Sequence, residues 1–152
     1  MSSEIIKFNN KVTITLRDKK SNIVEQQTYK NLVTTIGFQL LLDILGCGGE
    51  TGISYGAVGT DDTAAAVGDT TLGSESDRNQ NVYTRSQSTG TYSTFFNTGD
   101  ANATLKEIGF FGDDASDTTD SGTLFNRVVL DTPITKTTDY TLTLDLDITF
   151  TQ

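Results

Sequence analysis

The sequence of 152 residues contains no histidine and no tryptophan, and only one cysteine, one proline and one methionine. Without histidine there is no imidazole base, no imidazole metal ligand and no side chain whose ordinary pKa lies near neutrality. Ser-His-Asp and Cys-His catalysis and the common zinc sites are therefore excluded. The lone cysteine, Cys47, excludes an intrachain disulfide, and the chain is read as made in a reducing cytoplasm. No apolar run follows a basic start, so no signal peptide is expected. No stretch is long enough to cross a bilayer either: about 12 helical residues rise roughly 18 Å against a hydrocarbon core of about 30 Å.

One short apolar stretch stands out, residues 31–46. Ile36, Leu40, Leu41, Ile44 and Leu45 recur at helical spacing, which predicts a helix over 34–45. Thr34 or Asn31 can cap its start through a side-chain oxygen, and Gly46 is expected to take the left-handed conformation that ends it. At about 100° per residue, Phe38 and Leu42 point well away from the main apolar face, leaving Gln39 and Asp43 as a narrow polar stripe. So wide an apolar arc calls for cover on more than one side. The second cover is either a neighbouring subunit, which we favour, or the loop at residues 60–75.

The rest reads as strand and turn. Tyr140, Leu142, Leu144, Leu146, Ile148 and Phe150 alternate without a break against Thr141, Thr143, Asp145, Asp147 and Thr149, which marks a strand with one face in the core and one in water. Val12, Ile14 and Leu16 do the same. Further strands are expected at 23–29, 53–58, 81–88, 91–97, 105–111 and 123–130, with a turn around Gly90 and an edge or turn at Pro133. The strand at 105–111 carries apolar residues on both faces, as a strand covered on both sides does. The predicted class is mainly β: an antiparallel β-sandwich with one buried α-helix and an N-terminal arm or hairpin. Residues 1–30 would form the arm and hairpin, packing on or next to a body at 31–152.

Charge is uneven. Lysine and arginine number 11 against 20 aspartates and glutamates, a net charge of −9, yet residues 1–30 carry an excess of base. An acidic body repels a phosphate backbone, so nucleic acid is not an expected partner. Lys7, Lys11, Arg17, Lys19 and Lys20, with Phe38 and Leu42, are the expected contact surface.

The pairs Asp61–Asp62, Asp113–Asp114 and Asp145–Asp147 are the carboxylates that acid–base chemistry could use. Asp145 and Asp147 alternate with core leucines and so face solvent, and the others sit in turns, where aspartate bonds the local backbone. The chain is not read as an enzyme, and no cofactor is expected. Asp113, Asp114, Asp117 and Asp120 crowd one loop and are candidate calcium ligands, although their order does not match an EF-hand. Tyr83, Tyr92, Phe95 and Phe96 are read as core rather than as a sugar-binding groove. Glu75, Arg78, Glu107 and Arg127 lie beside apolar anchors and are expected to form structural ion pairs that fix how loops meet strands.

Several short motifs then occur in a fixed order: Lys30-Asn31-Leu32-Val33, Val58-Gly59-Thr60, Asp69-Thr70-x-Leu72-x-x-Glu75-x-x-Arg78, Glu107-Ile108-Gly109-Phe110-Phe111, and Gly122-Thr123-Leu124-Phe125-x-Arg127 before Pro133-Ile134-x-Lys136. In this arrangement, over roughly residues 12–150, the chain resembles small virion structural proteins of tailed bacteriophages. Asp61 departs from it, standing where such proteins often carry glycine. The resemblance implies particle assembly: a capsid decoration or cement protein, trimeric, touching its own copies and the major capsid protein. The alternative it implies is a tail-associated protein, such as a fibre adaptor, baseplate component or small receptor-binding tip.

Overall fold

A computed structural model describes residues 4–152. The elements in chain order are β1 (Lys7–Asp18), β2 (Ile23–Lys30), β3 (Leu32–Val33), α1 (Thr35–Leu45), β4 (Tyr55–Gly59), β5 (Glu75–Ser86), β6 (Thr89–Phe96), β7 (Thr104–Gly112), β8 (Thr123–Thr135) and β9 (Tyr140–Thr151). The mainly β, antiparallel expectation holds. The division into two separate sheets does not. Hydrogen bonds run through one nine-stranded array in the order β2-β1-β9-β6-β5-β4-β7-β8-β3.

The continuity comes from β5, which changes partner along its length. Its first half pairs with β4, from Tyr55↔Gln80 to Gly59↔Glu75, and its second half with β6, from Asn81↔Thr94 to Ser86↔Thr89. The array curls until its two ends nearly meet. Side chains close the gap: Gln27 of β2 donates to the Thr132 carbonyl at 3.0 Å, and the Tyr29 hydroxyl accepts from the Asp131 amide at 3.0 Å. The result is a nearly closed barrel. Val12, Ile14, Leu16, Phe96, Leu142, Leu144 and Leu146 meet Val58, Ile108, Phe110, Phe125 and Ile134 in one buried cluster.

Outside β4, β7 and β8 lies a second, smaller cluster of Ala57, Leu72, Phe111 and Leu124, with Ile36 of α1 packed against it. This explains why β7 is apolar on both faces, as its sequence predicts. Pro133 falls within β8, beyond the two residues that β3 covers, where its missing amide costs no ladder bond on that side.

The helix starts where expected. Thr34 accepts from the Gly37 amide at 2.9 Å, and its hydroxyl donates to the Leu124 carbonyl at 2.6 Å, so the cap also fastens α1 to β8. Its end differs by one residue. Gly46 has φ −80°, and Cys47 takes the left-handed turn at φ 56°. The Gly48 amide reaches the Asp43 carbonyl and the Cys47 amide reaches Ile44, a Schellman closure whose left-handed position falls one residue after the glycine.

The helix is half-buried rather than buried. Leu40 is enclosed, but Phe38, Leu42 and Leu45 are 49%, 68% and 80% exposed, so Leu45 does not belong to the inward face. The loop at residues 60–74 does not cover this side, because its anchor Leu72 packs on the outer face of the sheet instead.

Two further expectations change. The β5–β6 turn is at Gln87 and Ser88, and Gly90 lies within β6, where a Cβ would meet the Tyr83 ring at 2.9 Å. Residues 7–10 belong to β1 and pair with β9 along its full length, from Lys7↔Thr151 to Asp18↔Tyr140. The β1–β2 hairpin is thus part of the barrel wall, and any arm is confined to the residues before Lys7, of which 1–3 lie outside the described residues.

Candidate assembly surface

The four predicted ion-pair residues form two clamps on the outer face. In the first, Glu107 is fully buried and its carboxylate accepts from Arg127 Nε at 2.8 Å and from the amides of Gly73 and Ser74 at 2.9 and 2.7 Å. Arg127 continues to Asp69 at 3.0 Å and Asp61 at 3.0 Å. Burial opposes the Arg127 charge, but the hydrogen bonds it donates to Asp69 and Glu107 outweigh that and hold the guanidinium above its ordinary pKa. The clamp pins both ends of the loop at residues 60–74 to β7 and β8. Asp61 is one of its partners.

In the second clamp Arg78 meets Glu75 through two bonds, at 2.6 and 2.7 Å, and its third nitrogen donates to the carbonyls of Ser116 and Ser121. The guanidinium also lies 4.4 Å from the Phe111 ring centroid. This fixes the acidic loop at residues 113–122. Among the described residues no three acidic, cysteine or histidine side chains converge as metal ligands, so Asp113, Asp114, Asp117 and Asp120 do not form the cage their spacing raised. Three of them serve the backbone instead: Asp113, Asp114 and Asp120 have φ of 40°, 53° and 59°, a conformation aspartate tolerates better than most residues.

Among the described residues, an uncovered apolar area lies where α1, β1 and β9 come together. Phe38 of α1 lies 6.0 Å, centroid to centroid, from Phe8 of β1, and Phe8 lies 5.5 Å from Phe150 of β9. Leu42 and Leu45 extend the area along the helix, and Ile5 and Ile6 are 66% and 70% exposed just before β1. Phe38 and Leu42 were legible from the helical wheel. Phe8, Phe150, Ile5 and Ile6 were not, since nothing in their spacing says that three elements meet there.

The basic residues are placed less uniformly than the sequence implied. Lys11 lies 3.7 Å from Asp147 and Lys19 2.9 Å from Asp139, while Arg17 donates to Thr143 at 3.5 Å, so these three turn toward β9 or the residues just before it. Lys7 and Lys20 are exposed.

Of the four aromatics read as core, only Phe96 is enclosed. Phe95 and Tyr83 are more than half exposed, and Tyr83 stacks obliquely on Tyr92 at 4.9 Å. Phe95 sits on the outward side of β6. Tyr83 lies toward the open end of the barrel, beyond the reach of the core. Burial, and then the neighbouring Tyr83, push the Tyr92 phenol above its ordinary range. Compared with protein-family models, with curated proteins and with solved structures, the chain finds no match in any of the three.

Proposed function

We propose that this chain is a structural protein of a tailed-bacteriophage virion, a decoration or cement protein that stabilises the head from outside. The observation that carries the reading is the uncovered helix back of Phe38, Leu42 and Leu45, continuous with Phe8 and Phe150. An apolar area spanning three elements is a surface that another protein covers. The rest of the molecule is consistent with a passive role: the buried charges hold loops in place, and the strands curl around one core. Three copies joined through the helix back would form a trimer set on the major capsid protein. Several modest contacts made at once would then resist expansion of the shell.

Two measurements test this. In sedimentation velocity the wild-type chain is expected to run as an oligomer and Phe38→Asp as a monomer; a monomer in both removes the self-contact. Cryo-electron microscopy of the native particle is expected to show the chain on the head. Density at the tail instead would make it a fibre adaptor, baseplate component or receptor-binding tip.

A further inference from the structure

We infer that the open edge of β1 at residues 7–10 is a strand-addition site for an extended acidic segment of another protein. The inference goes beyond the assembly reading and does not depend on the particle. Its basis is a mismatch in strand length. β1 pairs with β9 from Lys7 onward, but its ladder with β2 begins only at Lys11↔Lys30. Beyond Lys30 the chain turns away to pair with β8 at Leu32 and Val33. Among the described residues, the side of residues 7–10 turned away from β9 has no strand against it. Backbone donors and acceptors on that side are ready for another strand.

The slot beside this edge is about 500 Å³ and is lined by Phe8, Asn10, Lys11, Tyr29, Lys30 and Asn31, among others. Continuing the β1–β2 register places Asn10 opposite Asn31, where the ladder ends. Each has one enclosed polar atom without a partner: the Asn10 carbonyl oxygen and the Asn31 amide nitrogen. The other end of Asn31 is committed, since its oxygen accepts from Asn126 at 2.6 Å, and Asn126 in turn accepts from the Phe110 amide. The two atoms, one an acceptor and one a donor, do not bond each other, and a group that both donates and accepts, such as a hydroxyl or a peptide unit, could satisfy both.

The two faces of the edge define the occupant. On the outward face Lys7, Asn9 and Lys11 line up with Lys30, and the one carboxylate there, Asp147, is already bound to Thr91 at 2.5 Å with Lys11 at 3.7 Å. On the inward face the ring of Phe8 lies next to Asn10. The complementary strand alternates acidic residues outward with apolar or hydroxyl residues inward. β9 has that alternation, with Asp145 and Asp147 between Leu144, Leu146 and Ile148, and β1 already accepts it on its other side. Two copies pairing edge to edge would set lysine against lysine, which disfavours a second copy as the occupant.

The test uses the full-length ¹⁵N-labelled protein and three capped heptapeptides. These are Asp-Val-Asp-Thr-Asp-Val-Asp, its basic counterpart Lys-Val-Lys-Thr-Lys-Val-Lys, and the acidic peptide with proline at the centre. The first is expected to shift the amides of residues 7–10 and 30–31 saturably and to slow amide exchange in 7–10. The basic peptide is expected to leave them unmoved, and the proline peptide to bind at least tenfold more weakly because it cannot complete the ladder. Lys7→Glu combined with Lys30→Glu, both exposed, should weaken the acidic peptide at least tenfold, and Asn10→Ala severalfold. The inference is overturned if the acidic peptide leaves residues 7–10 unshifted, as it would were the lysines there only to repel other edges. Equal affinity for the proline peptide, or no loss in the double-lysine variant, overturns it as well.

Discussion

Arg127 and Lys136 are both buried cations in an acidic protein, yet they stand in opposite situations. Arg127 is surrounded by the carboxylates of Glu107, Asp69 and Asp61. Removing it leaves the enclosed Glu107 carboxyl group without its cationic partner, so Arg127→Ala should cost about 3–5 kcal/mol in urea unfolding. Lys19→Ala, which breaks only an exposed pair with Asp139, should leave the midpoint unchanged. Lys136 is 1% exposed, and its ammonium donates to the Asn102 oxygen at 3.1 Å without a carboxylate in contact. Burial pushes its pKa below the ordinary lysine value of 10.5, and Asp100 and Asp77 oppose that only in part. Between the lowered folded value and 10.5 the unfolded chain holds more protons, so this residue's contribution to stability rises with pH across that window. Below the window its penalty is constant. Lys136→Met should therefore be more stable than wild type at neutral pH, with the gap narrowing as pH approaches 10.5, as read by unfolding at matched pH values.

At the scale of elements, α1 and β8 approach each other closely enough to exclude any side chain at one position. A Cβ on Gly37 would lie 2.2 Å from the Phe125 carbonyl oxygen, a distance no side chain occupies. Gly37→Ala should push the helix off β8 and cost about 1–3 kcal/mol in thermal or urea unfolding. The helix, with Thr34 as one of two candidate caps, and its outward Phe38 and Leu42 could be read from residues 31–46, because capping and helical spacing are local; Leu45 was placed on the wrong face. β9 was legible for the same reason, its two faces being chemically distinct. Glu107 and Arg127 declared themselves as charges inside apolar runs. Their partners Asp61 and Asp69 did not, since they sit in a loop without period. Alternation also misplaced Tyr83: it gives the face of a strand but not how far along that strand the opposite wall extends. The partner change within β5 is likewise invisible locally, because it depends on where β4 stops and β6 begins.

At the scale of the whole molecule, the barrel is a sheet whose ends meet through side chains rather than through a ladder. Tyr29 is central to that seam, its hydroxyl bonded to the Asp131 amide and to Gln27. Tyr29→Phe should leave the fold intact and make the Asp131 amide exchange at least tenfold faster in hydrogen-exchange measurements, with little change elsewhere. The long joint between β1 and β9 acts the other way, uniting residues 7–18 with residues 140–151 over twelve consecutive pairs. During synthesis the first strand emerges long before its mate. Until residues 140–151 have left the ribosome, Val12, Ile14 and Leu16 of β1 have no permanent shelter, so the wall cannot be sealed while that part of the message is still being read. Closure of the wall therefore waits on β9, however early β1 is made.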